Sequence, residues 1–91
     1  MTGPADSRQP TAEVTLYAKP GCHLCEDAKS EIEAARRTRD FNLTEIDVST
    51  DPVLFRKYGE RIPVVEVNGE EAFELGLDRI ALGRLLDTVA S

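Results

Sequence analysis

Cys22 and Cys25 are the two cysteines of the chain, and two residues separate them. A β-branched and aromatic stretch at 14–18 precedes the pair, and residues 26–39 follow it without proline or glycine. These patterns place the pair where a strand passes into a helix. At such a junction one thiol lies at an exposed helix start, and the other stays within disulfide reach. This is the arrangement of a dithiol redox centre.

The expected chemistry gives each cysteine a different role. The thiolate is the reactive form of the side chain, and the unpaired N–H groups at a helix start favour that anion. We therefore expect Cys22 to attack a substrate disulfide and to form a mixed disulfide. Cys25, one turn further along, would then displace the reduced substrate by thiol–disulfide exchange. The alternative is that both are ordinary buried cysteines without a redox role.

Hydrophobic periodicity predicts four strands and three helices. Their bounds are strand 13–18, helix 23–38, strand 41–48, helix 52–58, strand 63–67, strand 71–75 and helix 79–89. A helix between the first two strands favours a parallel pair with a right-handed crossover. Asn68-Gly69 is typical of a two-residue hairpin, which makes the last two strands antiparallel. The sequence therefore predicts an α/β fold, with helices on the faces of a mixed four-stranded sheet.

Local signals indicate the ends and faces of these elements. Asp51 is expected to cap the helix that Pro52 begins and Gly59 ends. Asp78 is expected to cap the last helix, and a change of phase after Leu43 is compatible with a bulge in the second strand. The first helix has an apolar stripe that consists of Cys25, Ala28, Ile32 and Ala35. The last helix has an apolar face that consists of Leu82, Leu85, Leu86 and Val89.

Length and composition limit the classes of protein to which this chain can belong. A chain of 91 residues has room for one small domain. Its net charge of −6 opposes binding to nucleic acid or to an anionic membrane. Residues 1–12 lack the apolar stretch of a signal peptide, and the sequence has no membrane-length apolar run. We therefore expect a flexible tail at 1–12, one domain at 13–91, a cytoplasmic location and a monomer.

From residue 13 onward the chain resembles the small CxxC glutaredoxin-like proteins of the thioredoxin-fold superfamily. The motifs that carry this resemblance are Lys19-Pro20-Gly21-Cys22-His23-Leu24-Cys25, Asp51-Pro52, Arg61-Ile62-Pro63-Val64-Val65 and Asn68-Gly69. The resemblance implies the thioredoxin-like element order β-α-β-α-β-β-α, with three helices flanking the sheet. It also implies a thiol–disulfide oxidoreductase with a role in cell redox homeostasis.

The resemblance assigns roles to residues around the two cysteines. Lys19 corresponds to a lysine that glutaredoxins place beside the thiolate, although a strand-end lysine can also be merely solvated. His23, between the cysteines, would stabilise the thiolate when protonated; the alternatives are a substrate contact or a position in water. Pro63 would be the cis-proline that faces the dithiol. It would hold the backbone of Ile62 where a substrate chain can pair with it.

Two departures from the glutaredoxin pattern concern substrate binding. This chain has Leu75-Gly76-Leu77-Asp78 where glutaredoxins have two glycines and, one residue later, aspartate. That region receives the backbone and γ-glutamyl carboxylate of glutathione in the family, which makes Gly76 and Asp78 candidate binding residues. Leucine in place of the first glycine weighs against glutathione as the reductant, and we expect no tightly bound cofactor. Arg61 replaces a threonine and is expected at the surface, where it either meets an acidic partner or only aids solubility.

The expected substrates are disulfide-containing proteins or low-molecular-weight thiols, with glutathione or a reductase as the electron donor. A cluster- or metal-binding module, including a dimer bridged through Cys22, is one alternative. Cys22, His23 and Cys25 supply at most three ligands where zinc and iron–sulfur sites normally need four. We therefore assign no metal site. A non-catalytic adaptor with the same fold is the other alternative, and the intact cysteine pair argues against it.

Overall fold

The computed structural model describes residues 12–90, except for the side chain of Ala90. Within this range the chain forms four strands, three α-helices and one short 3-10 helix. In chain order they are β1 (Ala12–Ala18), α1 (His23–Ala35), β2 (Phe41–Asp47), the 3-10 helix (Val48–Thr50), α2 (Pro52–Tyr58), β3 (Val64–Val67), β4 (Glu70–Glu74) and α3 (Arg79–Ala90). The predicted order of strands and helices is confirmed.

The four strands form one mixed sheet in the order β2-β1-β3-β4. Strand β1 is parallel to β2, with Val14 beside Leu43. It is antiparallel to β3, with Tyr17 beside Val64, and β3 is antiparallel to β4. Because β1 is central, its C-terminal end has a neighbouring strand on both sides. The loop that leads to Cys22 starts from this end.

The hydrophobic core joins one face of β1 to α1 and α3. Side chains alternate along a strand, so that Val14, Leu16 and Ala18 of β1 are buried together. Each large side chain buried in this way contributes roughly 1.5–3 kcal/mol to folding. The predicted stripe of α1 is confirmed, since its members are all buried: Cys25, Ala28, Ile32 and Ala35. One of the two cysteines is therefore also a core residue.

The hairpin between β3 and β4 has the predicted two-residue turn. Asn68 and Gly69 have φ angles of 54° and 86°, as a type I′ turn requires. The amide N–H of Asn68 donates to the carbonyl of Glu13 at 2.7 Å, and the Glu13 N–H donates to Asn68 Oδ1 at 2.9 Å. These bonds attach the turn to the start of the central strand.

Both predicted aspartate caps are confirmed. The Asp51 carboxylate accepts a hydrogen bond from the N–H of Val53 at 2.9 Å. The Asp78 carboxylate accepts one from the N–H of Ile80, also at 2.9 Å. A cap of this kind is worth about 1 kcal/mol. Gly59 follows the end of α2, where a Cβ atom would collide with the backbone of the preceding turn.

Apart from one-residue differences at the ends of strands and of the last helix, three expectations about the elements are wrong. Helix α1 ends at Ala35 rather than at residue 38, because the next turn tightens: the N–H groups of Arg37 and Thr38 donate to carbonyls three residues back. Val89 is 40% exposed rather than buried. It lies beside the turn at Asn68, where the sheet ends.

The bulge in β2 with which the change of phase was compatible is absent, which is the third difference. The register of β1 and β2 is continuous along both strands, so Leu43 introduces no irregularity. The alternation of apolar and polar residues changes phase after Leu43 because the end of this edge strand departs from the regular pattern. Ile46 and Asp47 are both half-buried there. The register shift lies between β3 and β4, where Ala72 has no partner across the ladder.

The predicted tail at 1–12 falls almost entirely outside the described residues. Its last residue, Ala12, is within them and is the first residue of β1, beside Phe41 of β2. The strand therefore starts one residue earlier than predicted.

Candidate functional site

Cys22 is the N-cap of α1. Its backbone is extended, with φ −97° and ψ 110°, and its Sγ accepts a hydrogen bond from the N–H of Cys25 at 3.1 Å. The first N–H groups of a helix have no acceptor within the helix. The sulfur thus takes the position that a serine or aspartate oxygen takes in an ordinary cap. Both this N–H group and the positive end of the helix dipole stabilise a negative charge at that position.

The loop Lys19-Pro20-Gly21 connects β1 to this cap. Gly21 has a φ of 78°, a conformation that glycine adopts freely and other residues rarely do. The turn at this glycine delivers Cys22 to the start of the helix directly after the buried end of β1. The local sequence therefore explains why the first cysteine comes out at the surface.

The two cysteines lie at disulfide distance, and their Cα atoms are 5.2 Å apart, within the range of protein disulfides. Their environments differ. Cys22 is half-buried, whereas Cys25 is 4% exposed and belongs to the hydrophobic core. Cys22 is therefore the more accessible of the two cysteines, and Cys25 approaches it from inside the protein.

A cavity of about 370 Å³ adjoins Cys25 between α1 and the ends of β1 and β2. Lys29, one turn after Cys25, crosses it to form an ion pair with Glu45 at 3.1 Å. Lys19 is exposed and also lines this cavity. The structure thus places Lys19 on the same cavity as the buried cysteine. The charged side chains of its lining are Lys19, Glu26, Lys29, Glu45 and Asp47.

His23 is the first residue of α1 and is exposed. Among the described residues, its imidazole forms no hydrogen bond or ion pair. It therefore lies next to Cys22 in the chain, with its ring accessible to solvent and to a substrate.

Ile62 and Pro63 lie directly before β3, and the peptide bond between them is cis as expected. Because Tyr17 pairs with Val64, the register places Pro63 beside Ala18, where the loop to the cysteines begins. The Ile62 side chain is buried. Its backbone N–H and C=O have no hydrogen-bond partner among residues 12–90.

Arg61 pairs with carboxylates of its own chain. Its guanidinium contacts Glu71 at 2.8 Å and Glu74 at 3.0 Å, and it donates to the carbonyl of Lys57 at 3.2 Å. The hydrogen bonds to the carboxylates raise the pKa of Arg61, and the bond from Arg61 lowers the pKa of Glu71. These contacts tie the segment before Pro63 to α2 and to β4.

Leu75 begins the segment that corresponds to the glutathione-binding loop of glutaredoxins. Its N–H donates to the carbonyls of Arg61 at 3.0 Å and Pro63 at 2.9 Å, which attaches this loop to the cis-proline segment. Its φ of 62° lies in the left-handed region that glycine favours. Asp78, further along the loop, uses its carboxylate to cap α3.

A surface groove of about 370 Å³ lies between α1 and this loop. Its lining residues are Leu24, Asp27, Ala28, Ser30, Glu31, Gly76 and Leu77. Gly76 is therefore on the groove. Sequence reasoning missed the contribution of Leu24, which lies between the two cysteines and is 49% exposed. The signal for Leu24 in the sequence was its position between the two cysteines.

A tyrosine–carboxylate cluster was also missed. The rings of Tyr17 and Tyr58 stack with centroids 4.1 Å apart. Both hydroxyl groups donate to Glu66, at 3.2 and 3.1 Å. Burial raises the pKa of both tyrosines, and the charge of Glu66 adds to the effect. The signal in the sequence was a glutamate within an otherwise apolar strand.

Two properties of the described part of the chain bear on other classes of function. Across residues 12–90, no group of three or more His, Cys, Asp or Glu side chains is placed to hold a metal ion. The same residues include no helix with the length and apolarity needed to cross a bilayer.

Residues 13–87 match the model of the family described as glutaredoxin-like domain (DUF836). No curated protein matches the chain at a significant level. Among solved structures, the chain is similar to the structural-genomics target XcR50 from X. campestris. The sequences are 30% identical, the TM-score is 0.68, and the match covers 82% of this chain and 96% of that one.

Two further solved structures are similar in fold. Protein Ne2328 from Nitrosomonas europaea matches at 24% identity and a TM-score of 0.73, over 88% of this chain and 96% of that one. Oxidised mitochondrial thioredoxin 3 from Saccharomyces cerevisiae matches at 15% identity and a TM-score of 0.65, over 88% of this chain and 80% of that one. The fold is therefore that of thioredoxin, as the resemblance implied.

Proposed function

This chain belongs to the glutaredoxin-like domain family, and we propose that it is a thiol–disulfide oxidoreductase that works by dithiol exchange. The observation that carries the proposal is the unequal pair of cysteines. Cys22 caps a helix through its sulfur and is accessible, whereas Cys25 is buried at disulfide distance from it. The first position suits an attacking thiolate, and the second suits a resolving thiol.

The reaction proceeds in two exchange steps. The thiolate of Cys22 attacks one sulfur of a substrate disulfide, which forms a mixed disulfide and releases the first substrate thiolate. Cys25 then loses its proton and attacks the sulfur of Cys22, which releases the second substrate thiolate. Two electrons pass from the protein to the substrate, the two thiol protons go to the products, and a Cys22–Cys25 disulfide remains.

Neighbouring residues have supporting roles in this proposal. Lys19 supplies positive charge on the side of the buried cysteine, and His23 does so next to Cys22 when its ring is protonated; positive charge favours the thiolate. The unpaired backbone groups of Ile62, held in place by Pro63, are available to a substrate chain that pairs in β fashion. Gly76 contacts the substrate from the groove. Asp78 positions that loop by capping the helix that follows.

The partners follow from the same chemistry. We propose that the substrates are disulfide-containing proteins or low-molecular-weight disulfides, and that a reductase or glutathione returns the electrons. No tightly bound cofactor takes part in either exchange step. We also propose that the protein is a monomer that acts in the cytoplasm. Its net charge of −6 opposes binding to nucleic acid or to an anionic membrane.

Trapping experiments with two serine variants test the proposal. In Cys25→Ser the second exchange step is blocked, so we expect mixed disulfides to accumulate on Cys22. Cys22→Ser is expected to form none and to lose insulin reduction. Serine is also a good N-cap, so this variant keeps the fold and serves as the matched control. A Cys22→Ser protein that reduces insulin at the wild-type rate would refute the assignment.

A further inference from the structure

We propose that Arg61 is a positioning residue of the exchange reaction: its guanidinium fixes the backbone of Ile62 in the conformation that receives a polypeptide substrate. The inference rests on the proposed dithiol exchange, because it concerns the substrate preference of that reaction. Arg61 thereby favours disulfides within a peptide chain over small disulfides that have no peptide groups. Three observations support it: the unpaired backbone groups of Ile62, the hydrogen bonds on both sides of that residue, and the contacts of the guanidinium.

The backbone of Ile62 is the unpaired part of this segment. Ile62 is 8% exposed, and its N–H and C=O groups have no hydrogen-bond partner among residues 12–90. Backbone groups in buried positions are nearly always paired, with protein, water or a ligand. The register places Pro63 beside Ala18, at the end of β1 from which the loop to Cys22 starts. A peptide chain joined to that cysteine carries the donors and acceptors that Ile62 lacks.

Hydrogen bonds of the main chain hold the residues on both sides of Ile62. The N–H of Arg61 donates to the carbonyl of Tyr58 at 2.8 Å. The N–H of Leu75 donates to the carbonyls of Arg61 at 3.0 Å and Pro63 at 2.9 Å. One N–H cannot point straight at two carbonyls, and hydrogen bonds weaken as their angle departs from linear. On the side of β4, the backbone alone therefore holds this segment only weakly.

The guanidinium of Arg61 supplies a stronger link. It contacts the carboxylate of Glu71 through two nitrogens, at 2.8 and 3.2 Å, and that of Glu74 at 3.0 Å. Its Nη2 also donates to the carbonyl of Lys57 in α2, at 3.2 Å. The same group lies over the ring of Tyr58, 5.5 Å from its centroid. One side chain thus joins α2 to β4 across the residue that precedes Ile62.

The number and geometry of these contacts decide their importance. A single exposed ion pair contributes little to stability, whereas a bidentate arginine within a network of charges holds a defined geometry. Lysine would not replace it, because an ammonium group lacks the planar fork of donors. We therefore expect the network to order the segment next to Ile62.

A purely structural role for Arg61 makes a different prediction from a positioning role. If the network only stabilised the fold, its loss would slow the reduction of every disulfide by the same factor. If it orders the backbone of Ile62, its loss slows substrates that pair with this backbone more than substrates that cannot. The ratio of two rates therefore distinguishes the two roles, because any general loss of activity cancels.

The test compares two disulfides in single-turnover reactions with the reduced protein. One is the dimer of a short, uncharged peptide with one cysteine, and the other is hydroxyethyl disulfide, which has no peptide groups. Each rate constant is divided by that of the same disulfide with dithiothreitol, which corrects for intrinsic reactivity. We expect the peptide-to-hydroxyethyl ratio of the wild-type protein to exceed one. In Arg61→Gln it is expected to fall roughly fivefold, the usual worth of one hydrogen bond.

Further variants show whether the effect belongs to this network. Glu71→Gln is expected to lower the ratio less than Arg61→Gln, because Glu74 still binds the guanidinium. The double variant is expected to have the ratio of Arg61→Gln alone, since the two side chains act through one contact. Arg39→Gln is the matched control. It removes the same charge and a similar bidentate pair, to Asp87 at 2.9 and 3.0 Å, between the turn after α1 and α3.

The results separate this inference from the proposed function. A wild-type ratio of one, an unchanged ratio in Arg61→Gln, or an equal fall in Arg39→Gln would overturn the positioning role and leave dithiol exchange intact. A wild-type protein that reduces neither disulfide would show that the proposed function itself is wrong. A ratio that falls in Arg61→Gln and stays at the wild-type value in Arg39→Gln supports both.

Discussion

At the scale of single residues, Cys22 has two roles that different substitutions can separate. Its sulfur is the proposed nucleophile, and the same atom accepts the N–H of Cys25 as the cap of α1. The capping interaction places the sulfur at the positive end of the helix. Stability and reactivity therefore depend on the same local geometry, although different substitutions affect them.

Substitution of Cys22 by serine or by alanine distinguishes its capping role from its proposed role as nucleophile. Both substitutions remove the nucleophile, but serine retains a side-chain acceptor for the N–H group of Cys25. We expect Cys22→Ala to be less stable than Cys22→Ser by about 1 kcal/mol, the usual difference between these residues at an N-cap. Denaturant unfolding under reducing conditions measures this difference. Equal free energies of unfolding would show that the sulfur has no capping role.

At the scale of elements, the tyrosine–carboxylate cluster connects three parts of the fold. Tyr17 is in β1, Tyr58 ends α2, and Glu66 is in β3. Arg61 also lies over the ring of Tyr58, 5.5 Å from its centroid. The cluster therefore attaches α2 to the sheet close to the segment that carries Pro63.

This cluster makes stability sensitive to alkaline pH. The pKa of both tyrosines is raised in the folded protein, mainly by burial. A raised pKa contributes stability below the pKa of the unfolded state, about 10, and that stability is lost as the pH rises toward the folded value. We expect the free energy of unfolding to fall above about pH 10, and to fall less in a variant with both Tyr17→Phe and Tyr58→Phe.

Denaturant unfolding at several alkaline pH values measures the effect. The quantity compared between the wild-type protein and the double variant is the slope of the free energy of unfolding against pH. The absolute values are not compared, because the double variant also loses two hydrogen bonds to Glu66 at every pH. Parallel slopes for the variant and the wild-type protein would contradict the prediction.

The ends of elements were predictable where one residue determines them. Asp51 and Asp78 each cap a helix by a bond to a nearby N–H group, and Asn68-Gly69 determines its own turn. The end of α1 at Ala35 was not predictable in the same way, because Arg36 and Arg37 are good helix formers and only the hydrogen-bond pattern changes. The unpaired Ala72 depends on how two strands meet, which no single segment encodes.

At the scale of the whole molecule, the sheet order brings three loops together. The loop to Cys22 follows the end of β1, Pro63 precedes the adjacent start of β3, and Leu75 follows the end of β4. The cysteine pair was evident from spacing alone. The groove was not, because Leu24 and Gly76 are distant in the sequence and meet only through the folding of α1 against the loop.

The net charge of the chain predicts how its rate of association with charged substrates depends on salt. A charge of −6 at pH 7 attracts a basic substrate and repels an acidic one over distances of about a Debye length, and salt screens both effects. We expect bimolecular rate constants for reduction of a basic peptide disulfide to fall severalfold as salt rises from low to physiological concentration. The rate for an acidic peptide is expected to rise, and that for an uncharged peptide to stay nearly constant. Stopped-flow measurements with three otherwise identical peptides test this, and the same salt dependence for all three would exclude steering by the charge of the protein.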